Sequence, residues 1–152
     1  LDPLTGGPLV DQHRQTSLPG FFAAGNVLQV HDLVDWVSAE SDIAGRSAAL
    51  FAQGQWTACS KQLALQAGVG VRNVVPQRLV CPAGQAEAVR LFIRVAQPAR
   101  NVNLHCRDQG EACYVRRLPV VKPSEMVVVD LPADAYQQAD GPLVITVEEA
   151  AP

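Results

Sequence analysis

Gly25 and Asn26 are the residues of this sequence best suited to hold a bound group. They follow the short apolar run Gly20–Ala24, which predicts a strand, and they precede a helix-like run. Glycine lets a chain turn close beneath a ligand, and an asparagine amide can hydrogen-bond a hydroxyl group. Asparagine is also an ordinary turn residue. The pair therefore predicts either a ligand contact or a turn into the helix.

Three ionisable residues follow within one short segment. An imidazole gains and loses a proton near neutral pH, so His31 suits a proton relay, while a role in capping or in the loop explains it as well. Asp32 and Asp35 could act as general acids or bases, but their position at the start of the helix favours capping and interaction with the helix dipole. We expect Asp32 to be the N-cap residue, and we assign no catalytic residue.

The spacing of apolar residues along the chain predicts one helix followed by strands. The helix is expected from Asp32 to Gly54, because apolar residues recur there on one face. Beyond residue 71 the period changes to two, and turn-forming residues separate the apolar runs. The six expected strands are Val71–Pro76, Ala88–Ala96, Asn101–Arg107, Ala112–Leu118, Glu125–Leu131 and Leu143–Glu148.

Charge divides the chain into two segments of different character. Residues 1–70 carry three basic and six acidic side chains, whereas residues 71–152 carry nine of each. We expect an α+β protein with a first unit at 1–54, a linker at 55–71 containing a short helical turn, and a β-module at 72–150. The spacing of the strands favours a small antiparallel sandwich of immunoglobulin-like architecture for that module.

The overall composition is that of a globular protein, with 48% hydrophobic and 18% charged residues. A net charge of −3 and a pI near 5.5 give no reason to expect nucleic acid as a partner. No apolar run reaches the roughly 18 to 20 residues of a membrane span. We therefore expect a cytoplasmic protein with no membrane partner.

The four cysteines form no C-x-x-C pair and stand at no metal-ligand spacing from the histidines. We therefore expect no metal site. Free thiols are the favoured interpretation of Cys59, Cys81, Cys106 and Cys113. A disulfide between Cys106 and Cys113 across a hairpin is the alternative, although it would be unusual in a reducing compartment.

The segment from Thr16 to Asn26 resembles the second flavin-contacting motif of two-dinucleotide-binding flavoproteins, T-x-x-P-G-[VIL]-[FY]-A-x-G-D. Asn26 stands where that motif has Asp, and Ile43–Arg46 aligns with the A-x-G-R element of the following helix in glutathione-reductase-like enzymes. The resemblance implies that Gly25 and Asn26 hold the ribityl chain of FAD. It also implies that His31 lies near the flavin ring and that Ser38 lies beside the flavin C2 carbonyl. The matching residues are Thr16, Pro19, Gly20, Phe22, Ala23 and Gly25.

The phrase from Gly25 to Asp35 resembles a subgroup of FAD/NAD(P)-dependent oxidoreductases of the pyridine nucleotide-disulfide type, found beside anaerobic glycerol-3-phosphate dehydrogenase-like flavoproteins. Short matches in the β-module support it: Val74–Gln77, Phe92–Val95, Asn101–Val102 and Pro123–Met126. The resemblance implies a parent enzyme that transfers hydride between NAD(P)H and flavin, with its NAD(P) domain upstream of Leu1. It also implies a second flavoprotein and a cysteine-rich protein as partner subunits.

The chain contains no G-x-G-x-x-G after a strand and no redox C-x-x-C. We therefore expect a C-terminal fragment, comprising the last strand and helix of a Rossmann-type FAD domain followed by the β-module, and inactive alone. Its unpaired strand and apolar helix face predict association with the rest of its own chain, homodimerisation, domain swapping or local disorder of residues 1–60. The alternative function is a non-catalytic β-sandwich module for protein interaction or dimerisation.

Overall fold

The computed structural model describes residues 1–56, 59–82 and 87–150, and it has an α+β fold with most of its regular structure in strands. Helix α1 spans Val34–Ala52, and the short helix α2 spans Asp134–Gln137. The strands are β1 (Cys59–Ala67), β2 (Val71–Val75), β3 (Arg78–Pro82), β4 (Val89–Val95), β5 (Ala99–Asp108), β6 (Glu111–Val121), β7 (Val127–Leu131) and β8 (Leu143–Glu149).

In the part of the chain that is described, neither helix combines the length and the apolar character needed to cross a membrane.

The strands form two sheets. A five-stranded sheet has the order β3-β1-β8-β5-β6, and a three-stranded sheet has the order β2-β4-β7. Neighbouring strands are antiparallel except β1 and β8, which run parallel with Leu65 opposite Leu143. The expected antiparallel pairing therefore holds for the other paired strands.

The six strands expected from the sequence are present as β2 and β4 to β8. The structure adds β1 and β3, and β1 occupies most of the segment 55–71 that was expected to be a linker. The helical turn expected at Ser60–Gln66 is wrong, since these residues belong to β1. Leu63 and Leu65 alternate inward there, but Gln and Ala fill the positions between them. Gln and Ala favour helix over strand, and they obscured the alternation of apolar and polar residues that predicts a strand.

The larger hydrophobic core fills the space between the two sheets. Leu91 and Ile93 of β4 face Leu104 of β5 and Ile145 of β8, and all four side chains are fully buried. Side chains on a strand alternate between the faces of its sheet, so Phe92 points to the opposite side. The three-stranded sheet therefore has a second apolar face that needs its own cover.

Residues 1–56 cover that second face. Val10 and Leu28 pack with Val75 and Phe92 in a separate core, and the Trp36 ring of α1 meets the Phe92 ring edge-on at 6.0 Å between centroids. The fold thus has three layers: the N-terminal segment with α1, the three-stranded sheet and the five-stranded sheet. The middle of β4, Leu91–Ile93, is apolar at three successive positions, as expected for a strand buried on both faces.

Hydrogen bonds of polar side chains connect the N-terminal segment to the sheets. The Gln77 amide accepts from the Val10 N–H at 3.1 Å and donates to the Asp2 carboxylate at 3.0 Å. Gln12 exchanges two hydrogen bonds with the backbone of Val80. These bonds satisfy polar groups that packing takes out of water.

The strand expected at Gly20–Ala24 does not form. Only isolated bridges are present, between Val10 and Thr16 and between Gln15 and Phe22. Both Gly20 and Gly25 have positive φ, at 82° and 72°. These two turns bracket the apolar run and leave it too short for a ladder.

Among the described side chains, Cys106 and Cys113 are free thiols and Cys81 is buried, while the side chain of Cys59 lies outside the described part. Cys106 pairs in register with Tyr114, so Cys113 is not its cross-strand partner. The Cys113 thiol instead donates to the Cys106 carbonyl at 3.1 Å. Burial raises the pKa of the Cys106 thiol. Free thiols are thus the correct interpretation for Cys106 and Cys113.

We predict that Phe92→Ala lowers the free energy of unfolding by about 3–5 kcal/mol, because it empties the centre of the core beneath residues 1–56. Urea denaturation followed by tryptophan fluorescence measures this. Val115→Ala is the matched control, since that side chain is 52% exposed. Equal losses in the two variants would show that the packing around Phe92 does not carry the predicted energy.

Candidate functional site

The candidate site is built around one buried carboxylate on α1. Glu40, Ala44 and Ser47 are the buried residues of this helix, and their spacing of four and three places them on one face. The Glu40 side chain is 0% exposed. A carboxylate removed from water in this way needs hydrogen bonds and an opposite charge to remain ionised.

Three segments supply the donors to Glu40. Its Oε1 accepts from the Arg14 Nε at 3.1 Å, and its Oε2 accepts from the Gly25 N–H at 2.8 Å. The His31 Nε2 lies 2.9 Å from the same Oε2, and the side chains of Arg14 and His31 are also 0% exposed. We call Arg14, Gly25, His31 and Glu40 the Glu40 cluster. It joins three loop positions to the helix through one side chain.

Arg14 provides the positive charge of the Glu40 cluster. Its guanidinium lies 5.6 Å from the centre of the Phe92 ring, which adds a cation–π contact. Burial lowers the pKa of Arg14, while the neighbouring Glu40 carboxylate acts in the opposite direction. The residue has φ 66°, and its carbonyl accepts from the Ala23 N–H at 3.0 Å. The chain thus makes a turn at Arg14 that aims its side chain inward.

Gly25 and Asn26 form the turn expected from their types. Gly25 begins a short 3₁₀ turn, and a Cβ on it would lie 3.2 Å from the Val37 Cγ1, so its positive φ and its close packing both favour glycine. Asn26 is exposed, and its Oδ1 accepts from the His31 N–H at 3.2 Å. The Asn26 side chain therefore closes the loop that returns to His31.

His31 and Asp32 take different directions from this loop. The His31 ring packs edge-on against Phe92 at 5.6 Å between centroids, and its Nδ1 has no hydrogen-bond partner within the described chain. The prediction that Asp32 is the N-cap residue is wrong: Leu33 is the N-cap, and no side chain caps the helix. The Asp32 carboxylate instead accepts from the Met126 N–H at 3.0 Å, because the loop packs against the start of β7.

Ser38 is the fourth residue expected at the site, and it is exposed on α1. Residues two positions apart on a helix point in different directions, so Ser38 faces away from Glu40. The structure therefore brings Gly25, Asn26 and His31 together around one loop but leaves Ser38 on the outer surface of the helix.

Sequence reasoning missed Arg14 and Glu40. The signal for Glu40 was its position, because Val37, Glu40 and Ala44 share the helix face expected to be apolar. A lone carboxylate within such a face is unusual unless it is paired. Arg14 carried no local signal, since its burial depends on a turn that only the packed chain reveals.

The outer surface above the Glu40 cluster combines hydrogen-bond donors with apolar side chains. Asn26 is exposed, and the 3₁₀ turn that contains it packs against α1. No side chain caps α1, so its first backbone N–H groups lack intrahelical partners. Val27, Leu33 and Val34 are exposed in the same stretch. Such a surface suits a flat group with polar edges. The described residues contain no group of three or more His, Cys, Asp or Glu placed to hold a metal ion.

Comparison of the chain with protein-family models, with curated proteins and with solved structures gave no match.

We predict that Glu40→Gln lowers the free energy of unfolding by about 3–5 kcal/mol, because it leaves the buried Arg14 charge without its partner. Chemical denaturation measures the loss. Asp42→Asn is the matched control on the same helix, where the pair with Arg46 is exposed and contributes less than about 1 kcal/mol. If the two variants lost equal stability, the Glu40 cluster would not be the anchor of the N-terminal segment.

Proposed function

We propose that this chain is part of an FAD-dependent oxidoreductase that transfers hydride between NAD(P)H and flavin, and that it supplies one wall of the flavin site. The observation that supports the proposal is the loop with exposed Asn26, which the Glu40 cluster joins to α1, a helix that begins without a side-chain cap. This arrangement agrees with the resemblance of residues 16–26 to a flavin-contacting motif.

The residues present are chemically suited to FAD. Asn26 uses its Oδ1 within the loop, which leaves its amide nitrogen to donate to a ribityl hydroxyl. The free N–H groups at the start of α1 suit a carbonyl edge that becomes negative on reduction. FAD would supply the hydride-accepting ring, and this chain would bind and orient it.

The Glu40 cluster holds this surface in one arrangement. The Gly25 N–H is committed to Glu40, so Gly25 shapes the turn and does not itself donate to the cofactor. His31 is committed to Glu40 through Nε2 and fixes the far end of the same loop. In the proposed enzyme both residues are positioning residues, and Ser38 stays at the exposed edge of the helix.

The remaining expectations belong to the same proposal. We infer that residues 1–54 complete a Rossmann-type FAD domain, that the sheets form an immunoglobulin-like module, and that NAD(P) binds to a further domain. A second flavoprotein and a cysteine-rich protein are the proposed partner subunits. The free thiols of Cys106 and Cys113 are in keeping with a reducing cytoplasm.

The flavin proposal is tested on the product of the whole gene, purified through a tag placed at its chromosomal 3′ end. We predict a yellow protein whose flavin is bleached by NAD(P)H. Asn26→Ala should weaken FAD binding about tenfold, because it removes a hydrogen bond to the cofactor, whereas Asn26→Asp should retain binding. The melting temperature of each variant without FAD shows whether the substitution destabilises the loop itself. A colourless wild-type product that takes up no added FAD rejects the proposal.

In isolation, we propose that the 152-residue chain is inactive, does not retain FAD and forms a homodimer. Most exposed large apolar side chains among the described residues lie between Leu1 and Leu50, and Phe21 and Val34 are 65% and 74% exposed. Such a surface is typical of an interface. The same observation supports the alternative function, a non-catalytic module for interaction or dimerisation.

We predict that light scattering after gel filtration gives the mass of a dimer for the isolated chain. The double variant Phe21→Lys, Val34→Lys should be monomeric, because two charges cannot be buried in an apolar interface without partners. The double variant Val69→Lys, Val115→Lys is the control, since these exposed side chains lie outside the N-terminal segment. A monomeric wild-type chain would count against the dimer and leave the flavin test unaffected.

A further inference from the structure

A second candidate site lies where the loop at residues 29–32 meets the three-stranded sheet. A cleft of about 420 Å³ opens there, between the N-terminal segment on one side and β2 and β4 on the other. This volume lies within the range of small-molecule sites. Its polar lining includes Gln29, Asp32, Arg72, Asn73 and Arg94.

An irregularity in β2 gives the cleft two polar side chains in succession. The register with β4 shifts between Val71 and Asn73. In a regular strand Arg72 and Asn73 would point to opposite faces, but a bulge changes the direction of a side chain, and both residues line the cleft. The bulge thus places both Arg72 and Asn73 along the cleft.

The two arginines of the cleft have different environments. Arg94 donates to the carbonyls of Val30 and Pro123, at 2.7 Å and 3.0 Å, and its Nη2 lies 3.9 Å from the Asp32 carboxylate. Arg72 is exposed and has no hydrogen-bond or ion-pair partner within the described residues. Asp32 balances Arg94, so Arg72 is the arginine of the cleft whose positive charge has no acidic partner among the described residues.

Gln29 adds an unused donor at the inner side of the cleft. The residue is 5% exposed, and its Oε1 accepts from the Asn73 Nδ2 at 2.9 Å. Its Nε2 is buried and has no partner among the described residues. A buried donor without an acceptor costs stability, and a ligand oxygen would relieve that cost.

We propose that this cleft binds a small organic monocarboxylate. The Arg72 guanidinium pairs with the carboxylate, since its planar fork matches the two oxygens, and Gln29 Nε2 supplies a further donor after a small adjustment of its side chain. The single uncompensated charge suits a monoanion better than a phosphate dianion. Leu4, Val30 and Pro123 also line the cleft and would contact a short carbon chain.

The test titrates the 152-residue protein with butyrate, lactate and inorganic phosphate at constant ionic strength, followed by amide chemical shifts. We expect saturable binding of at least one of the carboxylates, with shifts centred on Gln29, Arg72 and Arg94. Arg72→Gln should weaken that binding about tenfold or more, because it removes the charged fork. Arg100→Gln is the matched control, since Arg100 is exposed on β5 and lies outside the cleft.

Three results would overturn this site: no saturable binding of either carboxylate, tighter binding of phosphate, or equal affinity in wild type and Arg72→Gln. Arg72→Lys refines the assignment, because it keeps the charge but loses the fork, and an affinity between those of wild type and Arg72→Gln supports paired hydrogen bonds. Melting curves show whether each variant is folded. The titration needs neither FAD nor NAD(P)H, so its outcome is independent of the flavin proposal.

Discussion

The burial of the Glu40 carboxylate is the constraint on which the N-terminal half of this protein depends. A carboxylate away from water is costly unless its oxygens are satisfied, and here they accept from donors that lie 15 and 26 residues upstream and from the His31 ring. Loop segments without regular structure are thereby held against the Glu40 side chain. The ion pair between Arg14 and Glu40 adds little net free energy of folding, because both charges lose their hydration. Conformations that bury either charge without the other are strongly destabilised.

The buried Glu40 carboxylate also explains why the loop from Gly25 to His31 has a defined conformation. Loops with few backbone ladders usually sample several conformations. In this chain the turn at Gly25 and the loop at His31 are both fastened to one helix, and Asn26 closes the loop between them. A binding surface that is fixed before a ligand arrives loses less entropy on binding. The proposed flavin wall has this property.

Much of the secondary structure could be predicted because it follows from local periods. The helix expected between Asp32 and Gly54 is α1, and the six expected strands are present with ends that differ by a few residues. β1 was missed because Gln and Ala diluted its alternation, and the strand at Gly20–Ala24 was expected because its apolar run resembles one. Neither error could be avoided from local pattern alone, since pairing partners decide both cases.

The candidate site was predictable only in part, for a related reason. Gly25, Asn26 and His31 were found because their types suit a turn, an amide contact and an ionisable ring within a few residues. Arg14 and Glu40 act through contacts across 26 residues, which no local spacing encodes. Asp32 was assigned to the helix start, but it bonds instead to Met126, 94 residues away. Residues whose roles are set by tertiary packing are the ones that sequence patterns miss.

The position of β4 between two cores has a consequence for where this chain can be divided. The sequence predicts that a first unit ends at residue 54, yet Phe92 shares a core with residues 1–54, while its neighbours Leu91 and Ile93 belong to the core between the sheets. A shortened protein that began at β1 would expose Val75 and Phe92 to water, as an apolar patch on an otherwise intact sheet. The end of the first expected unit is therefore a poor place to truncate the polypeptide.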